Sequence, residues 1–274
     1  MSYITFSKIS VGADMGSQLQ QYASMYAVAK ETNKTIVFPE SSLYTGWGLR
    51  FPQLIDVDDI YLVDDNDISD FNIIRQRDGL LVDEAVFNLE EDKSYNFDHL
   101  FHLYHYWYDK YRDDIFNLRF NEEYYRKAKE IYSTIKKEGK QTVSIHVRRG
   151  DYLSHNAFCH LEYDYYDRAM NEYNSDSRFI VFSNDINWCK DNLPKRNDIT
   201  FLDRNEDCVD LILMSLCDHN IIANSSFSWW AAFFNKNKSK KVVCPTNYIK
   251  PIYKEIAFMN GNYYPSEWKN IDNE

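Results

Sequence analysis

The strongest constraint on the fold is an alternation of short strand-like runs with helical patterns. YITFSKI (3–9) precedes SQLQQYASMYAVAKE (17–31), and TVSIHV (142–147) runs into a polar loop. FIVFS (179–183) precedes INWCKDNL, ITFL (199–202) precedes CVDLILMSLC, NIIA (220–223) precedes SFSWWAAFFN, and KVVCP (241–245) closes the series. Parallel strands need crossover connections, and helices supply them, so the pattern predicts an α/β chain with parallel sheets. Between Leu49 and Arg119 the order weakens into acidic loops and an aromatic segment, HLFHLYHYWYDKYRDD. A charged helix is expected next, with Tyr125, Ala128, Ile131, Tyr132 and Ile135 at helical spacing and Gly139 at its stop. It links an irregular first half to a regular second half. No repeat or Pro-rich linker separates the halves, so they are expected to share a close interface.

Composition narrows the functional classes. The 274 residues carry 42 acids against 31 Lys and Arg, a formal charge of -11. Such a surface repels phosphate backbones and anionic lipids, which argues against broad nucleic-acid binding. An anionic ligand must therefore find a local basic pocket. The opening MSYITFSKIS has neither a basic n-region nor an apolar h-region, and SSFSWWAAFF is about half the ~20 residues of a transmembrane helix. No targeting or spanning segment is expected. Cys159, Cys189, Cys208, Cys217 and Cys244 are odd in number and form no CxxC pair, so they read as reduced, apolar filler.

In open parallel sheets, ligands bind beyond the carboxyl ends of the strands. Three such ends carry chemistry. TVSIHV releases Arg148, Arg149 and Asp151 around a turn at Gly150; FIVFS ends on Ser183, Asn184 and Asp185; NIIA ends on Asn224, with Ser225 and Ser226 opening a helix. A helix N-terminus offers N–H groups, hydroxyls and the positive dipole end, and beside two arginines it describes a diphosphate pocket. Taken singly, each feature has a plainer reading: paired arginines as a solvated or salt-bridged strand edge, Ser-Ser as a cap, His146 as a hydrogen-bonded core residue. Trp230 is read as core.

HVRRGD from His146 to Asp151 resembles the HxRRxD motif of α-1,2-fucosyltransferases, glycosyltransferase family 11. FSNDINWC is similar to that family's second block, with Asn184 for a customary Asp. Leu211 to Asn235 is similar to its third, with Ala231 for a customary Gly. The ending Tyr264-Pro265-Ser266-Glu267-Trp268 also resembles the family. Near the N-terminus, Gly16, Gln18, Gln21 and Tyr22 match, whereas Ser17 and Gln20 depart from Asn and Phe. Residues 40–140 show almost no resemblance.

The resemblance implies a GT-B type α/β fold of two Rossmann-like domains facing a cleft. An acceptor-side domain would span 1–139 and a GDP-fucose-binding domain 140–274, its C-terminal tail packing back on the first. It implies inverting transfer of L-fucose from GDP-fucose to the 2-hydroxyl of a terminal galactoside, on an oligosaccharide or lipid-linked acceptor. Neither a metal nor another cofactor is implied. The setting would be bacterial surface-glycan (O-antigen) synthesis, in the cytoplasm or peripheral to the inner membrane. Charge development on the departing GDP then falls to arginine. Arg148 is the candidate for the diphosphate, with Arg149 assisting or pairing with Asp151. Ser225, Ser226 and their helix end would hold phosphate, Phe227 would lie against guanine, and Asn184, Asp185 and Asn224 would face the donor. Gly16 and Gln18 join the donor set. Asp151 and His146 are the candidates for a base.

Two other classes compete. A metal-dependent GT-A enzyme would use a D-x-D after an apolar strand, and Ile60-Tyr61-Leu62-Val63 is followed by Asp64-Asp65-Asn66-Asp67; Asp56-Val57-Asp58 is a second acidic tripeptide. A solvated loop is the plainer reading of both. His99, His102 and His105 would spread over about 120° of a helix, wide for one metal ion, so an aromatic packing helix is expected there. A non-catalytic nucleotide-sugar or glycan-binding module would keep the same pocket. Arg149-Gly150-Asp151 also spells an adhesion tripeptide, which the longer motif absorbs.

Overall fold

The computed structural model describes residues 1–57, 60–75, 82–98, 101–253 and 263–273. His99 and Asp58 lie outside them. The chain divides into two compact units, Met1–Asn121 and Glu122–Glu274. The division falls before the charged helix, where the sequence suggested 139/140. This helix, Glu122–Ile135, packs within the second unit: Tyr132 Oη lies 2.9 Å from Thr142 Oγ1 and Lys127 pairs with Glu206 at 3.0 Å.

The first unit holds strands β1 (Tyr3–Thr5), β2 (Thr35–Pro39), β3 (Ile55–Asp56), β4 (Tyr61–Val63), β5 (Asn72–Arg75), β6 (Tyr95–Asp98) and β7 (Arg119–Phe120). Five of them form a parallel sheet in the order β4-β2-β1-β6-β5; β3 and β7 pair antiparallel beside it. Helix α1 (Met15–Thr32) connects β1 to β2, capped by Asp14, whose carboxylate accepts from Ser17 N, and ended at Asn33 in the left-handed region. Short helices α2 (Phe51–Leu54) and α3 (Asp65–Ile68) follow. The aromatic segment is not the single helix expected: Phe101 has a positive φ of 44°, Tyr104–Tyr106 is one 3-10 turn, and helix α3's successor α4 starts only at Tyr108 and runs to Phe116. The histidine spacing therefore is not a helical one.

The second unit continues with α5 (Glu122–Ile135), β8 (Gln141–Val147), α6 (Asp151–Ser154), α7 (Tyr163–Met170), β9 (Ser177–Ser183), α8 (Ile186–Asn192), β10 (Ile199–Phe201), α9 (Asp207–Leu216), β11 (His219–Ile221), α10 (Ser226–Phe234), β12 (Val242–Pro245) and β13 (Lys269–Ile271). Its sheet is wholly parallel in the order β10-β9-β8-β11-β12-β13. Counted from its own first strand, this is the 3-2-1-4-5-6 order of a dinucleotide-binding Rossmann sheet. The alternation in the sequence predicted β8 to β12 with α8, α9 and α10, whereas α6 and α7 stand where a polar loop was expected and β13 was not foreseen. Val143, Ile145 and Val147 are buried among Phe179, Val181, Tyr165 and Tyr166. Trp229 and Trp230 are core, as read for Trp230, and all five cysteines are buried thiols.

The described end of the chain joins the second unit's own sheet. β13 extends the second sheet by pairing with β12, and Trp229 Nε1 donates to Tyr263 O at 3.0 Å while its ring meets Trp268 at 5.2 Å. Covering the edge of β12 and the Trp229 face satisfies both a strand's open hydrogen-bonding groups and an apolar surface.

Behind the sheet lies a buried amide cluster. Asn220 Nδ2 donates to Ser144 Oγ and to Met214 O, each at 2.8 Å, and Asn220 Oδ1 accepts from Asn235 Nδ2, which also donates to Cys217 O. These bonds tie β8 and β11 to α9 and α10 where water cannot compensate their loss. Asn220→Ala is expected to lower unfolding free energy by about 3 kcal/mol, read as a lower urea midpoint at unchanged slope; a midpoint within error of the parent would refute the cluster's role.

Candidate functional site

The strand order of the second unit reverses between β8 and β11, and this switch point is where an open α/β sheet leaves a crevice. The two strands pair in register, His219 with Val143 and Ile221 with Ile145, so their carboxyl ends deliver Arg148–Asp151 and Asn224–Phe227 to one edge. Two tyrosines of α7 hold these ends from below: Tyr166 Oη donates to His146 O at 3.3 Å and Tyr165 Oη to Ile222 O at 2.6 Å. Tyr152 Oη adds a bond to Asn224 O at 3.0 Å. The end of β8 and the first turn of α10 also meet through the rings of His146 and Phe227, 5.5 Å apart.

The two arginines have different settings. The Arg148 guanidinium lies over the Tyr152 ring, with Nη2 2.9 and 3.0 Å from the two Asp151 oxygens. Asp151 is mostly exposed, so this pair is accessible to an incoming anion. Arg149 is only 11% exposed, stacks on Trp188 at 3.7 Å and faces Glu162 and Asp185 at 3.4 and 3.9 Å. Its partners are thus Glu162, Asp185 and Trp188, and the Asp151 pairing suggested for it belongs to Arg148.

Asn184 acts on the turn. Its Oδ1 accepts from Arg149 N at 2.9 Å, and its Nδ2 occupies the space beside Gly150, where a Cβ would stand 2.6 Å away. Gly150 has φ +60°, a conformation that favours glycine, and a side chain there would also displace the Asn184 amide. Asp185 caps α8, accepting from Trp188 N at 3.1 Å. Asn224 is buried, and its Nδ2 donates to Cys159 O and Tyr248 O at 2.9 Å each, tying two loops beside the site. Ser225 is the N-cap residue of α10, yet its side chain makes no cap bond. The hydroxyl and the first-turn N–H groups ahead of the Trp229 N to Ser225 O bond are set at the positive end of a nine-residue helix.

Gly16 and Gln18 belong to the first unit. Gly16 is buried in the first turn of α1. Gln18 is fully buried, donating from Nε2 to Ala13 O (3.1 Å) and Gly48 O (2.8 Å) and accepting at Oε1 from Arg50 N (2.7 Å) and Phe51 N (3.3 Å). Every polar position of the amide is engaged with backbone, so Gln18 pins the segment around residue 48 rather than presenting itself to a ligand. The acidic run after β4 has a similarly local use: Asp64 accepts from Asn66 N and Asp65 from Ser41 N. Among the described residues, no three His, Cys, Asp or Glu side chains converge.

Asp210 escaped the sequence reading. It sits in α9, beyond the carboxyl end of β10, buried and accepting from Asn205 N and Nδ2 at 3.3 and 2.8 Å. Burial pushes its carboxyl up to about 6. A carboxylate inside an apolar run, CVDLILMSLC, was the available signal.

His146 is buried with Nδ1 lacking a hydrogen-bond partner, and burial, aided by the Arg148 charge, pushes its basicity down to about 3. Such an imidazole stays neutral and is closed to an acceptor hydroxyl, so the exposed Asp151 is the more accessible of the two suggested bases. Since the folded value lies below the unfolded one, near 6.5, the unfolded chain binds the extra proton between these values and stability falls as pH drops through that window. Between pH 6.5 and 4.5 the parent should lose about 2–3 kcal/mol that His146→Gln does not. Equal pH slopes in chemical unfolding would contradict this.

A family model, glycosyl transferase family 11, matches residues 3–272. The chain is 34% identical over 155 residues to the O-antigen biosynthesis glycosyltransferase WbnK of Escherichia coli, covering 52% of this chain and 51% of that one. It is 34% identical over 157 residues to an alpha-1,2-colitosyltransferase of Escherichia coli (53% and 52%), and 32% identical over 106 residues to human galactoside alpha-(1,2)-fucosyltransferase 1 (33% and 28%). These matches span about half the length of the bacterial relatives. Among solved structures, fucosyltransferase NodZ from Bradyrhizobium is similar with TM-score 0.54 at 14% identity, covering 84% of this chain and 91% of that one. POFUT1 in complex with GDP gives TM-score 0.56 at 12% identity (89% and 98%). The likeness is one of fold, the GT-B type with two Rossmann-like domains. The motifs at the switch point and the whole-chain family match agree: the chain belongs to glycosyl transferase family 11.

Proposed function

We propose that this chain transfers L-fucose from GDP-fucose, with inversion and without a metal, to the 2-hydroxyl of a terminal galactoside in surface-glycan synthesis. The observation that carries the reading is the delivery of Arg148 and the Ser225 helix end to one sheet edge by adjacent parallel strands. The activities of the relatives, a 1,2-linked colitosyl and a galactoside 1,2-fucosyl transfer, favour the linkage. The GDP-fucose soak of the NodZ alpha-1,6-fucosyltransferase, of similar fold, favours the donor class. A colitosyl donor is the second reading, favoured by the 34% identity to the colitosyltransferase.

The residues divide the work as follows. When the sugar–phosphate bond breaks, negative charge grows on the β-phosphate while the sugar becomes oxocarbenium-like. Arg148, exchanging Asp151 for phosphate oxygens, meets that charge with hydrogen bonds from a cation, and the Ser225 and Ser226 hydroxyls and α10 N–H groups meet the remainder. Arg149, Asn184 and Gly150 hold the turn that aims Arg148. Phe227 offers its ring to guanine. Asp151, released from Arg148, is the base available to the acceptor hydroxyl, and a dissociative transition state asks little of it.

Arg148→Ala should cut transfer by at least ~10²-fold in kcat, with the fold intact by circular dichroism; a near-normal rate removes Arg148 from the mechanism. EDTA should leave the rate unchanged. Activity abolished by EDTA and restored by Mn²⁺ would overturn the arginine-based account. Mass spectrometry of GDP-fucose with lactose, N-acetyllactosamine and Gal-β-1,3-GalNAc tests donor and linkage together, and GDP binding with no transfer to any galactoside would leave only a binding module.

A further inference from the structure

In the first unit, the loops after β1 and β2 both leave the carboxyl edge of the parallel sheet. The loop after β2 displays Tyr44, 76% exposed, and Trp47, 63% exposed, with Leu43 also exposed, and the loop after β1 displays Val11. Among the described residues neither ring packs on another, although the unit's other tryptophan, Trp107, is buried. Two large aromatic rings held in water forfeit substantial burial, so their exposure calls for a ligand rather than a core.

The loop that carries them is built stiff. Trp47 N donates to Ser10 O at 2.9 Å, Ser10 Oγ lies 2.9 Å from Thr45 Oγ1, and Thr45 N and Oγ1 both bond Ser41 O, at 2.9 and 2.8 Å. Gly46, at φ +56°, packs against the Ser10 carbonyl so tightly that no side chain fits. Gly48 O accepts from the buried Gln18 amide. A mobile loop tip needs none of these ties, and a preformed surface loses little entropy on binding.

Charge selects the ligand class. From Glu40 to Leu49 there is no Lys or Arg; the polar groups are Glu40, hydroxyls and backbone. An anionic headgroup or phosphate finds no counter-charge there. A neutral pyranoside needs no counter-charge, since its C–H face lies on an aromatic ring while its rim hydroxyls stay in water. We propose that Tyr44 and Trp47 form a stacking platform for a neutral sugar residue of the acceptor glycan. The assignment to the acceptor rests on the function proposed above; binding of the sugar does not.

The test is a binding measurement, independent of turnover. Lactose, N-acetyllactosamine and Gal-β-1,3-GalNAc are titrated into the full chain with GDP present, read by saturation-transfer NMR and by tryptophan emission. Trp47→Ala should weaken the bound galactoside about tenfold and Tyr44→Ala several-fold, Trp47→Phe should recover most of the affinity, and GDP affinity should stay at the parent value. The exposed Ile73, on β5, serves as control: Ile73→Ala should change neither. The proposal is overturned if no galactoside binds the parent chain, or if both alanine variants bind as the parent does. It is equally overturned if Trp47→Ala instead dissociates a dimer in sedimentation or abolishes adhesion to neutral-lipid vesicles, with galactoside affinity unchanged. A chain that binds galactoside through Trp47 yet transfers no sugar would refute the transfer reading and leave the platform standing.

Discussion

The parallel pairing of β8 with β11 is the contact on which the candidate site depends. A strand order that runs outward in both directions from this pair leaves no loop crossing above it, so the ends of both strands open at one edge. Val143 and Ile145 fix which face of β8 is core, and a one-residue slip would turn Arg148 and Arg149 over. The register is further secured by Asn220 reaching Ser144 across the pair and by Thr142 sharing Asp218, whose carboxylate accepts from Thr142 N at 2.8 Å.

Around that pair, Arg149, Asn184 and Asn224 set positions, while Arg148 meets the exposed Asp151 at the edge. Asn184 and Asn224 look alike in sequence to ligand-binding residues at strand ends. In the structure one closes the Arg149-Gly150 turn and the other joins the Cys159 and Tyr248 carbonyls. Arg149 is stacked on Trp188 and largely buried beside Glu162 and Asp185, whereas Arg148 lies over Tyr152 and pairs with the exposed Asp151 carboxylate. Adjacent residues of one motif therefore have separate duties, and a neutral, buried His146 beneath them supplies a ring face to Phe227 rather than a titrating group.

The second unit was largely legible because its strands are apolar and β-branched and its helices long enough to show their period. HVRRGD and NSSFSWW marked the candidate site because their polar residues follow apolar strands at points where the chain turns. The first unit hid more. Strands such as YNFD and NIIR are short, half polar and partly exposed, so alternation does not mark them. Gln18 matched a family position, but that its amide is consumed by backbone at residues 13, 48, 50 and 51 depends on a loop brought near only by folding. The tail's pairing with β12 was likewise a matter of an edge left open, which local sequence does not record.

The central claim is that the donor diphosphate lies at this switch point and is neutralised by arginine and a helix end. A crystal structure of the chain with GDP, grown in EDTA, tests it directly. The account predicts the β-phosphate within about 3 Å of the Arg148 guanidinium and of the Ser225 or Ser226 hydroxyl, with the Arg148–Asp151 pair opened. GDP bound at another edge, or phosphates bound while Arg148 still grips Asp151, would contradict it.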